Sequence, residues 1–152
     1  MLIVLEGCDG SGKSTLARSL ANVLGAEIVH CTSTTPNDKK FFEGIIEASK
    51  TRNIIADRFC YGQFVYQKEE DRPLGSFQNL HRLEIKMLKA GARVVYVEAP
   101  LDEIENRLKD RGEKVINGLT VAEVMARFED VLSNQSMLGG RLIRWNTGGE
   151  WK

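Results

Sequence analysis

The residues Gly7-Cys8-Asp9-Gly10-Ser11-Gly12-Lys13-Ser14 constrain the fold more than any other part of the chain. They follow the apolar run Leu2 to Leu5 and precede the amphipathic stretch Lys13 to Leu24, so they join a strand to a helix. Glycine reaches positive φ and lets backbone approach a ligand closely, and successive N–H groups at a helix N-terminus form a nest that favours negative charge. The spacing G-x-x-x-x-G-K-[ST] therefore describes a phosphate cradle, with Lys13 adding a point charge for β and γ phosphates. The Ser14 hydroxyl is suited to a Mg²⁺ ion. A glycine-rich turn with a surface lysine would need neither flank.

The rest of the chain repeats the strand-then-helix alternation. Short apolar runs at Ala26 to His30, Asn53 to Ala56, Val94 to Val97 and Arg141 to Trp145 join Leu2 to Leu5 as five expected buried strands. Helical periodicity falls between them at Lys13 to Leu24, Asp38 to Ser49, Ser76 to Ala90 and Leu101 to Asp110. This is the βαβ rhythm of an α/β fold with helices on both faces of a parallel sheet. Thr120 and Glu123 form a T-x-x-E capping box ahead of Val124, Met125, Phe128 and Leu132, which predicts one more helix before the last strand.

Length and charge narrow the function classes. A chain of 152 residues supports one core, read as a single domain over 1–152. Lys plus Arg, at 21, cancels Asp plus Glu, also 21, which excludes a broadly basic nucleic-acid-coating protein and makes any anion site local. Cys8, Cys31 and Cys60, with His30 and His81, give no zinc spacing, and the cysteines are read as reduced. No basic leader precedes the first strand and no apolar run approaches a membrane span, so the expected location is the cytoplasm, without membrane or nucleic-acid partners.

A phosphate cradle alone leaves GTPases, motor ATPases and small-molecule kinases open. No N-K-x-D guanine-reading motif is present, and the acidic strand end reads Ile54-Ile55-Ala56-Asp57-Arg58, which favours a kinase. There a carboxylate can hold Mg²⁺ through water and a guanidinium can grip a second phosphate bidentately. An ordinary ion pair at a strand end is the structural alternative.

Leu5-Glu6-Gly7-Cys8-Asp9-Gly10-Ser11-Gly12-Lys13-Ser14-Thr15 resembles the opening of the thymidylate kinases. Asp57-Arg58-Phe59-Cys60-Tyr61-Gly62-Gln63-Phe64-Val65-Tyr66-Gln67 is similar to that family's D-R-[YHF] motif with its following Tyr-Gln. Val94 to Pro100, then Asn106-Arg107-Leu108-Lys109-Asp110-Arg111-Gly112-Glu113, resembles its fourth strand and arginine-bearing lid, here around 107–118. The resemblance implies the P-loop NTPase fold, with a sheet in the order 2-3-1-4-5. It implies transfer of the γ-phosphoryl of ATP, with Mg²⁺, to a pyrimidine deoxynucleoside monophosphate, dTMP first and dUMP or a modified pyrimidine also compatible. It also implies a homodimer.

Carried over residue by residue, the resemblance gives an ATP site of Gly7, Asp9, Gly10, Ser11, Gly12, Lys13, Ser14, Thr15 and Arg107. Ser14 and Asp57 organise Mg²⁺. Asp9 approaches the acceptor 3'-hydroxyl, Arg58 holds the acceptor phosphate, Gln63 reads the base edge and Tyr66 crowds the ribose 2' position. The catalytic set is Lys13, Arg58, Asp57 and a lid arginine, Arg111 first and Arg107 second; Lys109 and Lys114 follow. Phe42, or Phe41, stacks on the base, with Lys39 or Lys40 supplying charge. Asn146-Thr147-Gly148-Gly149 passes over adenine or forms a polar tail.

The match weakens across His30 to Asp38, and the chain is shorter than typical cellular members, as a compact phage version would be. A deoxynucleoside kinase, which needs a carboxylate base at a neutral 5'-hydroxyl, is the enzymatic competitor. A nucleotide-sensing or nucleic-acid-end-binding module without turnover is the other.

Overall fold

The computed structural model describes residues 1–112 and 118–147. Five parallel strands, β1 (Leu2–Glu6), β2 (Glu27–His30), β3 (Ile54–Asp57), β4 (Arg93–Glu98) and β5 (Ile143–Asn146), form one sheet in the order β2-β3-β1-β4-β5. Six α-helices accompany them: α1 (Lys13–Leu24), α2 (Lys39–Ala48), α3 (Gly62–Tyr66), α4 (Phe77–Lys89), α5 (Leu101–Asp110) and α6 (Val121–Asp130). This is the α/β P-loop fold in the expected strand order. The register pairs Leu5 with Asp57 and Glu6 with Tyr96, so the carboxyl ends of β1, β3 and β4 lie side by side. Ligands of open parallel sheets bind at that edge, where the order reverses around β1.

Alternation along the strands divides the core in two. Leu2, Val4, Ile54, Ala56, Val94 and Tyr96 join residues of α2, α4, α5 and α6 in a large cluster. Ile3, Leu5, Ile55, Val95 and Val97 form a smaller one with α1. Both faces are therefore covered, but unequally. The expectation of five buried strands holds for β1 and β3, is nearly met by β4, and fails at the edges. β2 is half exposed and β5 is exposed throughout, with Ile143 38% and Trp145 37% accessible. An edge strand has a neighbour on one side only, and the small cluster packed on α1 includes no residue of β5. Arg144 secures that edge instead, donating to Glu98 at 3.0 Å and to Glu129 at 2.6 and 2.8 Å.

Local chemistry sets the helix ends. α1 starts at Gly12 and stops at Gly25, both left-handed, and Gly25 donates back to the Ala21 carbonyl. Asp38 caps α2 by accepting the Phe41 N–H at 2.8 Å. Thr120 and Glu123 make the expected capping box at the start of α6. The short α3 starts at Gly62, after the turn Phe59-Cys60-Tyr61 that follows Asp57-Arg58, in a run whose residues show no clear period. No helix among the described residues is long and apolar enough to cross a membrane.

Candidate active site

β1 runs straight into the phosphate loop, and the glycine geometry matches the need for it. Gly7 sits at φ +146°, where a Cβ would overlap the Val97 carbonyl oxygen. Gly12 sits at φ +101°, where a Cβ would lie 3.1 Å from the Thr147 side chain. Thr147 hydrogen-bonds the Ser11 carbonyl, so the chain after β5 braces the loop from behind. The second half of that segment, Gly148-Gly149, lies outside the described residues. Arg107 braces the loop as well, donating to the Gly10 carbonyl at 2.8 Å while paired with Glu103.

Lys13 is 5% exposed, and its Nζ donates to the Gly7 and Cys8 carbonyls at 2.7 and 2.8 Å. Burial pulls its pKa below the ordinary value; Asp57 is the largest of the opposing influences. The Ser14 hydroxyl donates to Asp57 Oδ2 at 3.0 Å, and His30 Nδ1 lies 3.3 Å from the same oxygen. A hydroxyl beside a carboxylate is a hard oxygen pair of the kind Mg²⁺ takes, so these residues fit the expected ion.

Arg58 occupies the left-handed region at φ +69°, an uncommon conformation for a side-chain-bearing residue. Its guanidinium pairs with Asp9 of the phosphate loop, and its N–H donates to the Leu5 carbonyl at 3.0 Å. Two clefts meet here. One, of about 320 Å³, is lined by the phosphate loop, Ser14, Thr15, His30, Cys31, Thr32, Asp57, Arg58 and Arg111. The other, of about 240 Å³, is lined by Glu6, Cys31, Thr32, Ser33, Asn37, Arg58, Phe59, Gly62, Gln63, Tyr66, Gln67 and Phe128. Cys31, Thr32 and Arg58 belong to both.

Most of the sequence-predicted residues converge on this pair of clefts. Asp9, Gly10, Gly12, Lys13, Ser14, Thr15, Asp57, Arg58 and Arg111 line the first; Gln63 and Tyr66 line the second. Ser11 is buried, its Oγ without a partner among the described residues. Arg107 is held by the loop backbone, whereas Arg111 faces the cleft, which separates the two lid candidates. Lys114 and the lid positions 113–117 lie outside the described residues.

Two expectations need correction. Phe42 is 0% exposed and lines neither cleft; it packs behind Phe59, ring centroids 4.7 Å apart. Of two adjacent helical phenylalanines one must turn to the core, and the aromatic groups at the second cleft are Phe59, Tyr66 and Phe128. Gln63 reaches the cleft, but its Nε2 donates to the Asn37 carbonyl at 3.1 Å and its Oε1 accepts the Leu74 N–H at 2.8 Å. In this geometry the amide joins two loops, and a base read by it would have to displace one of these bonds. Gln67, one turn on, lines the same cleft with no side-chain hydrogen bond among the described residues.

Sequence reasoning passed over Glu6. It is 0% exposed, accepts the Phe59 N–H at 3.1 Å and the Tyr61 N–H at 3.0 Å, and burial raises its pKa to about 7. The signal was an acid ending an otherwise apolar strand. The Tyr61 hydroxyl in turn donates to buried Glu84 at 2.8 Å.

No protein-family model matches the chain. It is 33% identical over 154 residues to the SPbeta prophage-derived uncharacterized protein YorR of Bacillus subtilis (strain 168), covering 99% of this chain and 90% of that protein. The crystal structure of YorR in complex with phosphorylated GDP matches with a TM-score of 0.78 over 100% of this chain and 88% of that chain, at 33% identity. Deoxyadenosine kinase from M. mycoides with bound dATP matches at TM-score 0.61 and 17% identity, over 96% of this chain and 91% of that chain. Thymidylate kinase from Candida albicans matches at 0.54 and 18%, over 99% and 84%. At such identities the two kinases speak for the fold alone. With its cradle, its sheet order and this relative, the chain belongs to the YorR family and shares the P-loop fold of the nucleoside and nucleotide kinases.

Proposed function

We propose that this protein transfers the γ-phosphoryl group of a nucleoside triphosphate to a nucleoside monophosphate, with dTMP the first acceptor candidate. The carrying observation is Arg58, at the junction of a phosphate-loop cleft and a second, aromatic-walled cleft. An acceptor phosphate gripped there presents an oxygen to the donor's γ-phosphorus. The new P–O bond forms as the bond to the β-phosphate oxygen breaks, and the diphosphate leaves. The acceptor phosphate is already anionic, so no base is needed.

Catalysis is then alignment and charge stabilisation. Lys13 turns its ammonium from the loop carbonyls toward the β and γ phosphates, and Arg111 reaches the transferring group from the mouth of the cleft. Ser14 and Asp57 would hold a Mg²⁺ ion, which when bound would neutralise charge on the donor phosphates. Tyr66, walled by Phe128 at 5.9 Å, favours a sugar without a 2'-hydroxyl, and Gln67 offers a free amide to a base edge. ATP is the donor the resemblance implies; the phosphorylated GDP bound by YorR brings GTP into consideration.

Asp9 favours a second reading. Its carboxylate pairs with Arg58 at the junction of the clefts, and it and Asp57 are carboxylates of the first cleft that could take the proton of a neutral 5'-hydroxyl. Assaying ATP and GTP against all ribo- and deoxynucleosides and their monophosphates separates the two. Transfer to a monophosphate, with a raised acceptor KM in Arg58→Ala, is the expected result. An unchanged acceptor KM in that variant overturns the assignment, and transfer to nucleosides alone favours the second reading.

A further inference from the structure

We infer that Glu6 is the positioning residue that holds Arg58 in register with the phosphate loop. The inference rests on the monophosphate-kinase reading for its kinetic meaning and on geometry for its substance.

β1 ends in Leu5 and Glu6, and the next residue opens the phosphate loop. Those two residues accept three successive hydrogen bonds from the segment that carries Arg58. The Leu5 carbonyl takes the Arg58 N–H at 3.0 Å, Glu6 Oε1 takes the Phe59 N–H at 3.1 Å, and Oε2 takes the Tyr61 N–H at 3.0 Å. Arg58 is held between them at φ +69°. A residue with a side chain keeps such a conformation only where its surroundings over-determine it. The three bonds do so, on both sides of the strained residue.

A role in stability alone explains Glu6 poorly. Burying a carboxylate is costly, and a well-packed apolar side chain commonly does as well or better for stability. Glu6 has no ion-pair partner within contact distance among the described residues; both of its oxygens go to backbone N–H groups of one turn. That turn carries the guanidinium shared by the two clefts. One strand end thus sets both the donor cradle and the acceptor grip, and the distance between them does not depend on a flexible loop.

The test combines Glu6→Gln, Arg58→Ala and the double variant with amide hydrogen exchange. A glutamine presents an NH₂ to one of the two N–H groups, so one bond is lost while size is kept. In Glu6→Gln the acceptor KM is expected to rise roughly tenfold, with the donor KM within about twofold of the wild type. In the Arg58→Ala background the same change should add less than about twofold to the acceptor KM, because the group being positioned is gone. Equal effects in both backgrounds, or donor and acceptor KM rising together, overturn the inference. Exchange in the wild type decides the clamp even if the variant does not fold. The Phe59 and Tyr61 amides must be protected, and rapid exchange at either refutes it. If no monophosphate binds the wild type, the kinase reading falls, while those two amides still judge the clamp.

Discussion

Glu6 also makes a thermodynamic prediction. In the unfolded chain its carboxyl ionises near its ordinary value of 4.5, whereas in the fold burial holds the proton until about pH 7. Between those values the folded state binds more protons than the unfolded one, so stability falls as pH rises and is level on either side. At about 1.36 kcal/mol per pH unit, the rise is worth about 3 kcal/mol by pH 8. Glu6→Gln cannot ionise and is free of this term. Below the raised pKa the protonated wild type, like the glutamine, presents a hydrogen to one of the two N–H groups, and the bond gained on ionisation is already contained in that pKa, so the difference between variant and wild type should move by about 3 kcal/mol in the variant's favour from pH 4.5 to pH 8. Lys13 and Glu84 are also shifted, but they are present in both proteins and largely cancel in the difference. Urea unfolding at fixed ionic strength across that range, read as the difference between the two proteins, is the assay. A difference flat with pH, or one moving against the variant, would refute the burial argument.

Other outcomes follow from packing and hydrogen bonding. Phe42→Ala should cost about 3–5 kcal/mol in unfolding free energy, whereas Phe42→Leu should leave the acceptor KM within about twofold; a large KM effect from the leucine would return Phe42 to the base site. Gln63→Ala, which strands the buried Leu74 N–H, should destabilise by about 1–3 kcal/mol. Gln67→Ala should leave the unfolding midpoint nearly unchanged and reduce discrimination among acceptor bases; the opposite pattern would restore Gln63 as the reader. Gly7→Ala forces a Cβ into the Val97 carbonyl at a φ that L residues avoid, so circular dichroism and donor binding should both show a disrupted loop. A normal melting curve with intact donor binding would contradict the loop geometry.

The phosphate loop and the strands and helices that alternate around it could be read from the residue order, because each depends on neighbours a few positions away, whereas the strand order came with the family resemblance. Gly7, Gly12 and Lys13 carry their geometry in their spacing, and Asp57-Arg58 announces itself at a strand end. The bounds of α5 and the start of α6 were equally local, written in periodicity and in the Thr120 cap. Contacts across the fold were another matter. Whether Phe41 or Phe42 faces the core depends on how α2 lies against the sheet. Whether Gln63 reads a base or joins loops depends on Asn37 and Leu74, 26 and 11 positions away.

Glu6 shows the division most sharply. As a letter it is an acid at the end of an apolar strand. Its partners lie 53 and 55 positions along the chain and are backbone groups that any residue would supply, so no pairing of side-chain types marks them. Short-range dihedral and periodicity rules act through covalent neighbours and leave a trace in residue order. Burial, hydrogen-bond occupancy and the meeting of two clefts at Arg58 arise when distant segments share space, and they exist only once the sheet has closed.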